Sequence, residues 1–342
     1  MSLRTRFIAV AGLVCTIAVS SALAGPSHLA TKPGKNGLIA FKRYSDAQRS
    51  TGAVYTIAPD GTSTQQVTKP AQGVIDDQPD WSPDGSLITF FRCPPDASCE
   101  VFTVKPDGSA ETQVTPGTGA CPPVATNCED GADPTFLPDG THIVYTRATG
   151  EVKHFAAGDQ IQHSDIVVRD LDGSNPRILV RSRDYQGDFL GAIFSPDGTR
   201  FVYERSNSPV TKPAFGHALF VARADGRGQR QITPWSLGAG DSADWSPNGR
   251  LILFRSHEDG RQQSQIYVVH PDGSGLHALT HFKQGTTVLS YSFSPDGKWI
   301  VFAKSGRAGQ PDIFVMKPSG TGIRPVTRTA VWDSAPDWGP AG

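Results

Sequence analysis

Asp76-Asp77-Gln78-Pro79-Asp80-Trp81-Ser82-Pro83-Asp84-Gly85-Ser86-Leu87-Ile88-Thr89-Phe90 holds the organising unit of the chain. An acidic start leads into Trp-Ser-Pro-Asp-Gly and then into an alternating apolar strand, Leu87 to Phe90. The five-residue run recurs as Phe136-Leu137-Pro138-Asp139-Gly140, Phe194-Ser195-Pro196-Asp197-Gly198, Trp245-Ser246-Pro247-Asn248-Gly249 and Phe293-Ser294-Pro295-Asp296-Gly297. Its prolines lie 55, 58, 51 and 48 residues apart, the period of a sheet-sized unit and not of a helical solenoid. Each copy is followed by a strand: Ile143-Val144-Tyr145, Phe201-Val202-Tyr203, Leu251-Ile252-Leu253-Phe254 and Trp299-Ile300-Val301-Phe302 match Leu87 to Phe90.

The physics of the turn explains its residues. Proline presets φ near -65° at the second turn position, Asp or Asn tolerates the bridge conformation next, and glycine takes the positive φ that returns the chain. The serine before proline can accept a backbone hydrogen bond across the turn, an interaction Leu137 lacks. These Asp and Gly residues therefore read as structural. A second turn closes each repeat: Pro59-Asp60-Gly61, Pro106-Asp107-Gly108, Leu171-Asp172-Gly173, Ala224-Asp225-Gly226, Pro271-Asp272-Gly273 and Pro318-Ser319-Gly320. There are six of these against five of the first kind.

The termini resolve that mismatch. Asp333-Ser334-Ala335-Pro336-Asp337-Trp338-Gly339 copies the strand that begins a repeat, whereas Asn36-Gly37-Leu38-Ile39-Ala40-Phe41 starts where such a turn would finish. The C-terminal strand thus supplies the strand missing from the first unit, which leaves no open sheet edge. The expected fold is all-β: a six-bladed β-propeller of four-stranded blades over residues 36–342. The expected blades are 36–68 with 333–342, then 76–115, 130–180, 188–233, 241–280 and 288–327.

Residues 1–24 read as a secretory signal peptide. Arg4 and Arg6 precede an apolar run from Phe7 to Val19, and Ala22-Leu23-Ala24 supplies the small-x-small cleavage signature, so cleavage is expected after Ala24. The run is shorter than the roughly 20 apolar residues a spanning helix needs. Val14 before Cys15 argues against lipidation. Residues 25–35 form a short lead into the first strand, and a secreted or periplasmic monomer without stable membrane insertion is expected.

Composition narrows the partners. The formal charge of -1 gives no basic field for nucleic acid. Glycine (36) and proline (27) make up about 18% of the 342 residues, which marks a turn-rich folded chain. Four cysteines follow the leader as two close pairs, Cys93 with Cys99 and Cys121 with Cys128. Export favours disulfides, each closing a short loop worth roughly 2 kcal/mol. A four-cysteine zinc site is the alternative, at spacings wider than zinc ligands usually show.

Tandem Pro-Asp-Trp-Ser-Pro-Asp-Gly repeats with a following Ile-x-Phe strand and a Pro-Asp-Gly turn resemble the TolB-type, WD-like β-propeller family over residues 36–342. The resemblance implies the propeller and an exported location. The family's separate N-terminal α/β domain has no counterpart in the stretch between Gly25 and the first strand.

In such a ring both turn sets fall on one face, and the remaining loops, variable in length, fall on the other, where binding specificity resides. The segments before the inner strands are acidic: Asp76, Asp77, Glu129, Asp130, Asp133, Asp188, Asp241 and Asp333 are expected to converge at the channel mouth. They could hold calcium or another divalent cation, or cap their own backbone, and no cofactor is otherwise expected. Trp235 and Trp332 could anchor a peptide or sugar at the mouth, or pack between blades. His154, His163, His217 and His257 fall in loops of the same face and are the candidates for a catalytic metal. No nucleophile elbow, His-Glu-x-x-His, phosphate loop or dinucleotide motif occurs. Two functions follow: a binding scaffold for an envelope or extracellular protein, peptide or glycan, and a metal-dependent lyase or hydrolase.

Overall fold

The computed structural model describes residues 33–95, 97–117, 130–154, 160–181, 189–207, 216–256, 264–305 and 309–342, without the side chains of 130, 149–154, 160–163, 241 and 242. The described chain is almost wholly β. It runs through β1 (Asn36–Tyr44), β2 (Gly52–Ile57), β3 (Gln65–Gln66), β4 (Ile75–Trp81), β5 (Ile88–Cys93), β6 (Glu100–Val104) and β7 (Thr112–Gln113). Next come β8 (Asp130–Phe136), β9 (His142–His154), β10 (Gln160–Asp170), β11 (Arg177–Val180), β12 (Phe189–Phe194), β13 (Arg200–Ser206), β14 (His217–Arg223) and β15 (Arg230–Gln231). A single 3-10 turn, Trp235–Leu237, precedes β16 (Ala239–Trp245), β17 (Ile252–Ser256), β18 (Gln265–Val269) and β19 (His277–Ala278). The chain ends with β20 (Val288–Phe293), β21 (Ile300–Ser305), β22 (Pro311–Met316), β23 (Arg324–Pro325) and β24 (Asp333–Pro340).

Strands β8 to β23 form four separate four-stranded antiparallel sheets, each in sequence order. The remaining strands form one eight-stranded sheet, whose halves are strand-paired only through the parallel pair Gly52↔Ile75 among the described residues. One half is β24-β1-β2-β3, in which β24 pairs antiparallel with β1 from Asn36↔Pro340 to Arg43↔Asp333. The expected pairing of the first and last strands is therefore present. The leading strands of successive sheets pack side by side, β4 on β8, β8 on β12, β12 on β16 and β16 on β20, and β24 packs on both β20 and β4.

The turns form as their residues dictate. Gly85, Gly140, Gly198, Gly249 and Gly297 all take positive φ, from 66° to 74°. Serine Oγ accepts the returning amide at 2.9 Å from Leu87, 3.1 Å from Arg200, 2.9 Å from Leu251 and 3.0 Å from Trp299. Where Leu137 replaces serine, Asp139 Oδ1 receives the His142 amide at 3.2 Å. Asn248 takes over the aspartate's part because its Oδ1 accepts from both Ser246 Oγ and the Arg250 amide. The outermost strands are only two residues long in five units, and in each a threonine fourteen residues on binds the third strand's amide, as Thr68 does for Val54 at 2.9 Å.

Apolar side chains fill the layers between sheets. One core joins Ile193 and Leu219 with Trp245, Phe254, Tyr291 and Phe302, three sheets in all. Another joins Ile39, Phe41 and Trp338 to Val301, Ile313 and Val315. Trp81, Trp245 and Trp338 are all buried, as their repeat position suggests. At the junction of the termini the backbone runs so close that a Cβ on Gly339 would lie 2.5 Å from the Trp81 ring.

Candidate functional site

The leading strand of each unit is interrupted by a bulge that sets what its side chains reach. In β4 the register jumps from Asp77↔Phe91 to Asp80↔Thr89, in β8 from Ala132 to Thr135, and in β12 from Leu190 to Ile193. A left-handed residue sits in each: Gln78 at φ 52°, Asp133 at 54° and Gly191 at 53°, with Ala335 of β24 at 53°. Such a conformation costs roughly 1–2 kcal/mol for a residue bearing a Cβ. Bonds from the preceding unit offset it. Asp133 N donates to Gln78 Oε1 at 3.2 Å, Gly191 N to Thr146 Oγ1 at 3.2 Å, and Ala335 N to Ser290 Oγ at 3.0 Å.

Of the acidic residues expected at the mouth, Asp76, Asp77 and Asp333 each face a cation in the structure. Asp76, its side chain fully buried, lies opposite Arg92 in the β4–β5 register and accepts from its Nε and Nη2 at 2.6 and 2.9 Å. Asp333, equally buried, binds Arg43 Nε and Nη2 at 2.7 and 2.8 Å. Both turn into the layers between sheets because a cation stands across the strand pair, and bidentate guanidinium geometry holds it there. Burial outweighs Arg92 at Asp76, whose pKa is raised. Asp77 instead pairs with Lys42 of β1, bridging two sheet halves. Burial works against the Lys42 ammonium, but Asp77 and Tyr44 more than restore it, and its pKa lies above the usual lysine value. The side chains of Asp130, Asp188 and Asp241 lie outside the described residues.

These cations belong to a repeated pattern. Two residues beyond the aromatic of each second strand stand Arg43, Arg92, Arg147, Arg205 and Lys304, with Ser256 in the remaining unit. Four of these lie over rings of their own layer, Arg43 at 5.1 Å from Phe41, Arg92 at 4.8 Å from Phe102, Arg205 at 5.3 Å from Phe220 and Lys304 at 3.8 Å from Phe314, while Arg147 pairs with Asp165 at 2.9 Å. Burial lowers the pKa of Lys304 and of Arg205.

Deeper in the leading strands lies a collar that sequence reading passed over. Asp80, Asp244 and Asp337 directly precede Trp81, Trp245 and Trp338, and all three are buried. Each reaches a backbone amide of a neighbouring unit: Asp80 accepts from Phe136, Asp244 from Phe293 at 2.6 Å and Asp337 from Trp81 at 3.0 Å. Ser292 Oγ adds a bond to Asp337 at 2.9 Å. Burial pushes the Asp337 carboxyl up to about 7 against those bonds. Burial, with Asp337 and Asp244 nearby, raises Asp80 well above the carboxylate range. The repeated Asp-Trp pair was the available signal.

The two candidate tryptophans part company. Trp235 sits on the 3-10 turn with its ring 5.7 Å from Phe220, packed on a core that joins the β8–β11 and β12–β15 sheets. Trp332 lies edge-on to Tyr44 at 6.5 Å, with the Arg49 guanidinium 4.7 Å over its face. Its Nε1 donates to Ser334 Oγ at 2.9 Å, and its carbonyl receives the Tyr44 amide at 3.1 Å. Tyr44 is itself 4.8 Å from the Lys42 ammonium. Trp332, Tyr44, Arg49, Lys42 and Asp77 thus form one patch on the loop side.

Of the histidines, His217 Nδ1 lies 2.5 Å from Glu204 Oε1, while the side chains of His154, His163 and His257 lie outside the described residues. Among the described residues no group of three or more His, Cys, Asp or Glu side chains is placed to hold a metal ion. Cys93 and Cys99 form the expected disulfide, with Cα atoms 4.2 Å apart. Cys121 and Cys128 lie outside the described residues.

The TolB beta propeller domain model matches residues 152–342. The Chlorobium luteolum protein TolB homolog is 32% identical over 154 residues, 44% of this chain and 31% of that protein. An uncharacterized peptidase, YuxL of Bacillus subtilis, is 30% identical over 119 residues, 34% of this chain and 17% of that one. The chain thus spans less than a third of the length of these curated relatives. Among solved structures, TolB from Acinetobacter baumannii superimposes with a TM-score of 0.66 at 17% identity, covering 89% of this chain and 67% of that one.

Proposed function

From the premise that the chain belongs to the TolB β-propeller domain family, we propose that it is an exported binding scaffold that holds a protein or peptide partner on its loop face. The ring it presents has six blades and is closed by β24. The pairing of β24 with β1, together with its packing on β20 and β4, supports that reading. Export rests on the leader, Arg4 to Ala24.

One observation carries the binding surface. Trp332 and Arg49 are residue types that dominate interface energetics, and here the exposed Arg49 stacks on the half-buried Trp332, which rests on the buried Tyr44 beside the Lys42–Asp77 pair. The stack is pre-organised, so little side-chain freedom is lost on binding. It lies where β1 and the segment entering β24 meet β4 of the other sheet half, which ties binding to the packing of the two halves. Because Asp76, Asp77 and Asp333 already hold cationic partners, binding at this patch requires no resident divalent cation.

The test is capture from an envelope extract by immobilised wild type and by Arg49→Glu. A partner held by the first and lost from the second supports the patch. A partner held equally by both removes it.

A further inference from the structure

On the opposite face, between the turns of the β12–β15 and β16–β19 sheets, lies an open cleft of about 460 Å³ lined by Arg200, Arg250, His270, Asp272 and Ser274. Its cations come from positions where the repeats vary. Arg200 stands two residues after its turn glycine, where other copies have Leu87, His142, Leu251 and Trp299; Arg250 stands one residue after its own, where Ser86, Thr141 and Thr199 occur. Turn formation requires neither arginine.

Neither guanidinium is in a close ion pair, although Asp197 of the preceding turn acts on Arg200 from beyond ion-pair distance. Among the described residues no carboxylate lies within ion-pair distance of Arg200 or Arg250. Asp272, the acidic group in the lining, directs Oδ1 to the amide and hydroxyl of Ser274, at 2.9 and 2.6 Å. The site is also fixed in place. Arg200 lies 5.5 Å over the Trp245 ring of the next sheet, and His270 Nδ1 donates to the Arg250 carbonyl at 2.9 Å. Arg230 braces the floor by donating to the Pro271 carbonyl at 2.8 Å, as Arg324 does to Pro59 at 3.0 Å elsewhere in the ring. Arg223, opposite Arg200 in the β13–β14 register, adds a further cation, with Asp225 3.5 Å from it.

We propose that this cleft binds an acidic peptide segment of a partner, with Arg200 and Arg250 each engaging a side-chain carboxylate. The planar fork of arginine matches a carboxylate with two parallel bonds. The positive patch is local on a chain whose formal charge is -1, so complementarity selects the ligand by position and not by overall field. The site lies on the turn face and is independent of the loop-face reading.

The experiment is fluorescence anisotropy of a labelled hexaglutamate peptide titrated with the exported chain at low and at physiological salt. The comparison set is wild type, Arg250→Glu and Lys298→Glu, Lys298 being the residue at the corresponding turn position one sheet on. Arg250 is exposed, so its replacement leaves the core intact, and an unchanged melting temperature verifies this. Expected are binding that weakens with salt, a loss of about tenfold or more in Arg250→Glu, and less than about twofold in Lys298→Glu. Absence of peptide binding at low salt, or equal weakening in both variants, overturns the proposal. So does binding of inorganic phosphate without binding of peptide, which would assign the cleft to a free oxyanion.

Discussion

Asp337 Oδ2 accepts the backbone N–H of Trp81 at 3.0 Å, joining the last strand of the chain to the first strand of the second unit across 256 residues of sequence. The same carboxyl receives Ser292 Oγ from the preceding unit. One side chain therefore ties the terminal strand to both neighbours.

That placement makes stability depend on pH. The folded-state pKa of Asp337 is raised to about 7 by burial, above the value near 4 expected in the unfolded chain. A raised carboxyl stabilises fully below its unfolded value and loses that contribution as pH climbs through its folded value. Melting temperature should fall as pH rises from about 4 to about 7. Asp337→Asn, which keeps an acceptor for Trp81, should flatten that slope, measured by differential scanning fluorimetry across the range. An unchanged slope in the variant would remove Asp337 as its source.

Gly339 has no room for a side chain, since an added Cβ would lie 2.5 Å from the buried Trp81 ring. Gly339→Ala should destabilise by about 1–3 kcal/mol through overpacking. Urea denaturation reads the shift. A larger space at the site, made by Trp81→Phe, should reverse part of it.

Removing Arg43 leaves the fully buried Asp333 carboxylate without its bidentate partner. Arg43→Ala should cost about 3 kcal/mol, the low end of the range for a half-removed buried pair. Adding Asp333→Asn should restore some of that loss. A double-mutant cycle by chemical denaturation gives the coupling.

The Cys93–Cys99 disulfide closes a short loop and should contribute only about 2 kcal/mol. Cys93→Ser with Cys99→Ser should lower the denaturation midpoint while leaving a single cooperative transition. Complete unfolding of the variant at room temperature would show that the bridge holds far more than its loop.

The turns were legible because proline, Asp or Asn, and glycine each answer a local backbone demand. The positive φ of Gly85 or Gly297 needs no distant partner. The pairing of β24 with β1 was legible too, since Asp333 to Gly339 repeats the wording of Asp76 to Ser82 closely enough to reveal a displaced strand. The cation partners of the acidic residues were not legible, for a physical reason. Asp333 is answered by Arg43, 290 residues away in sequence, and only the strand register brings the two opposite. Asp80, Asp244 and Asp337 were hidden differently. Their Asp-Trp pairs stand beside the turn motif, but Thr135, Ile193 and Ser292 hold the same place in the other units, so no uniform pattern marked the position. Arg49 lies in a loop, and nothing local foretells its stacking on Trp332.

The central claim is that a partner binds the Trp332–Arg49 patch of a closed propeller, and the most direct measurement is partner capture from envelope extract by four forms of the chain. These are wild type, Arg49→Glu, Trp332→Ala, and Lys298→Glu as a control on the opposite face. The account predicts one protein retained by wild type and Lys298→Glu, with at least about tenfold less on Arg49→Glu and Trp332→Ala, a loss typical of interface hot spots. Equal retention by all four forms, or retention by none, would contradict it.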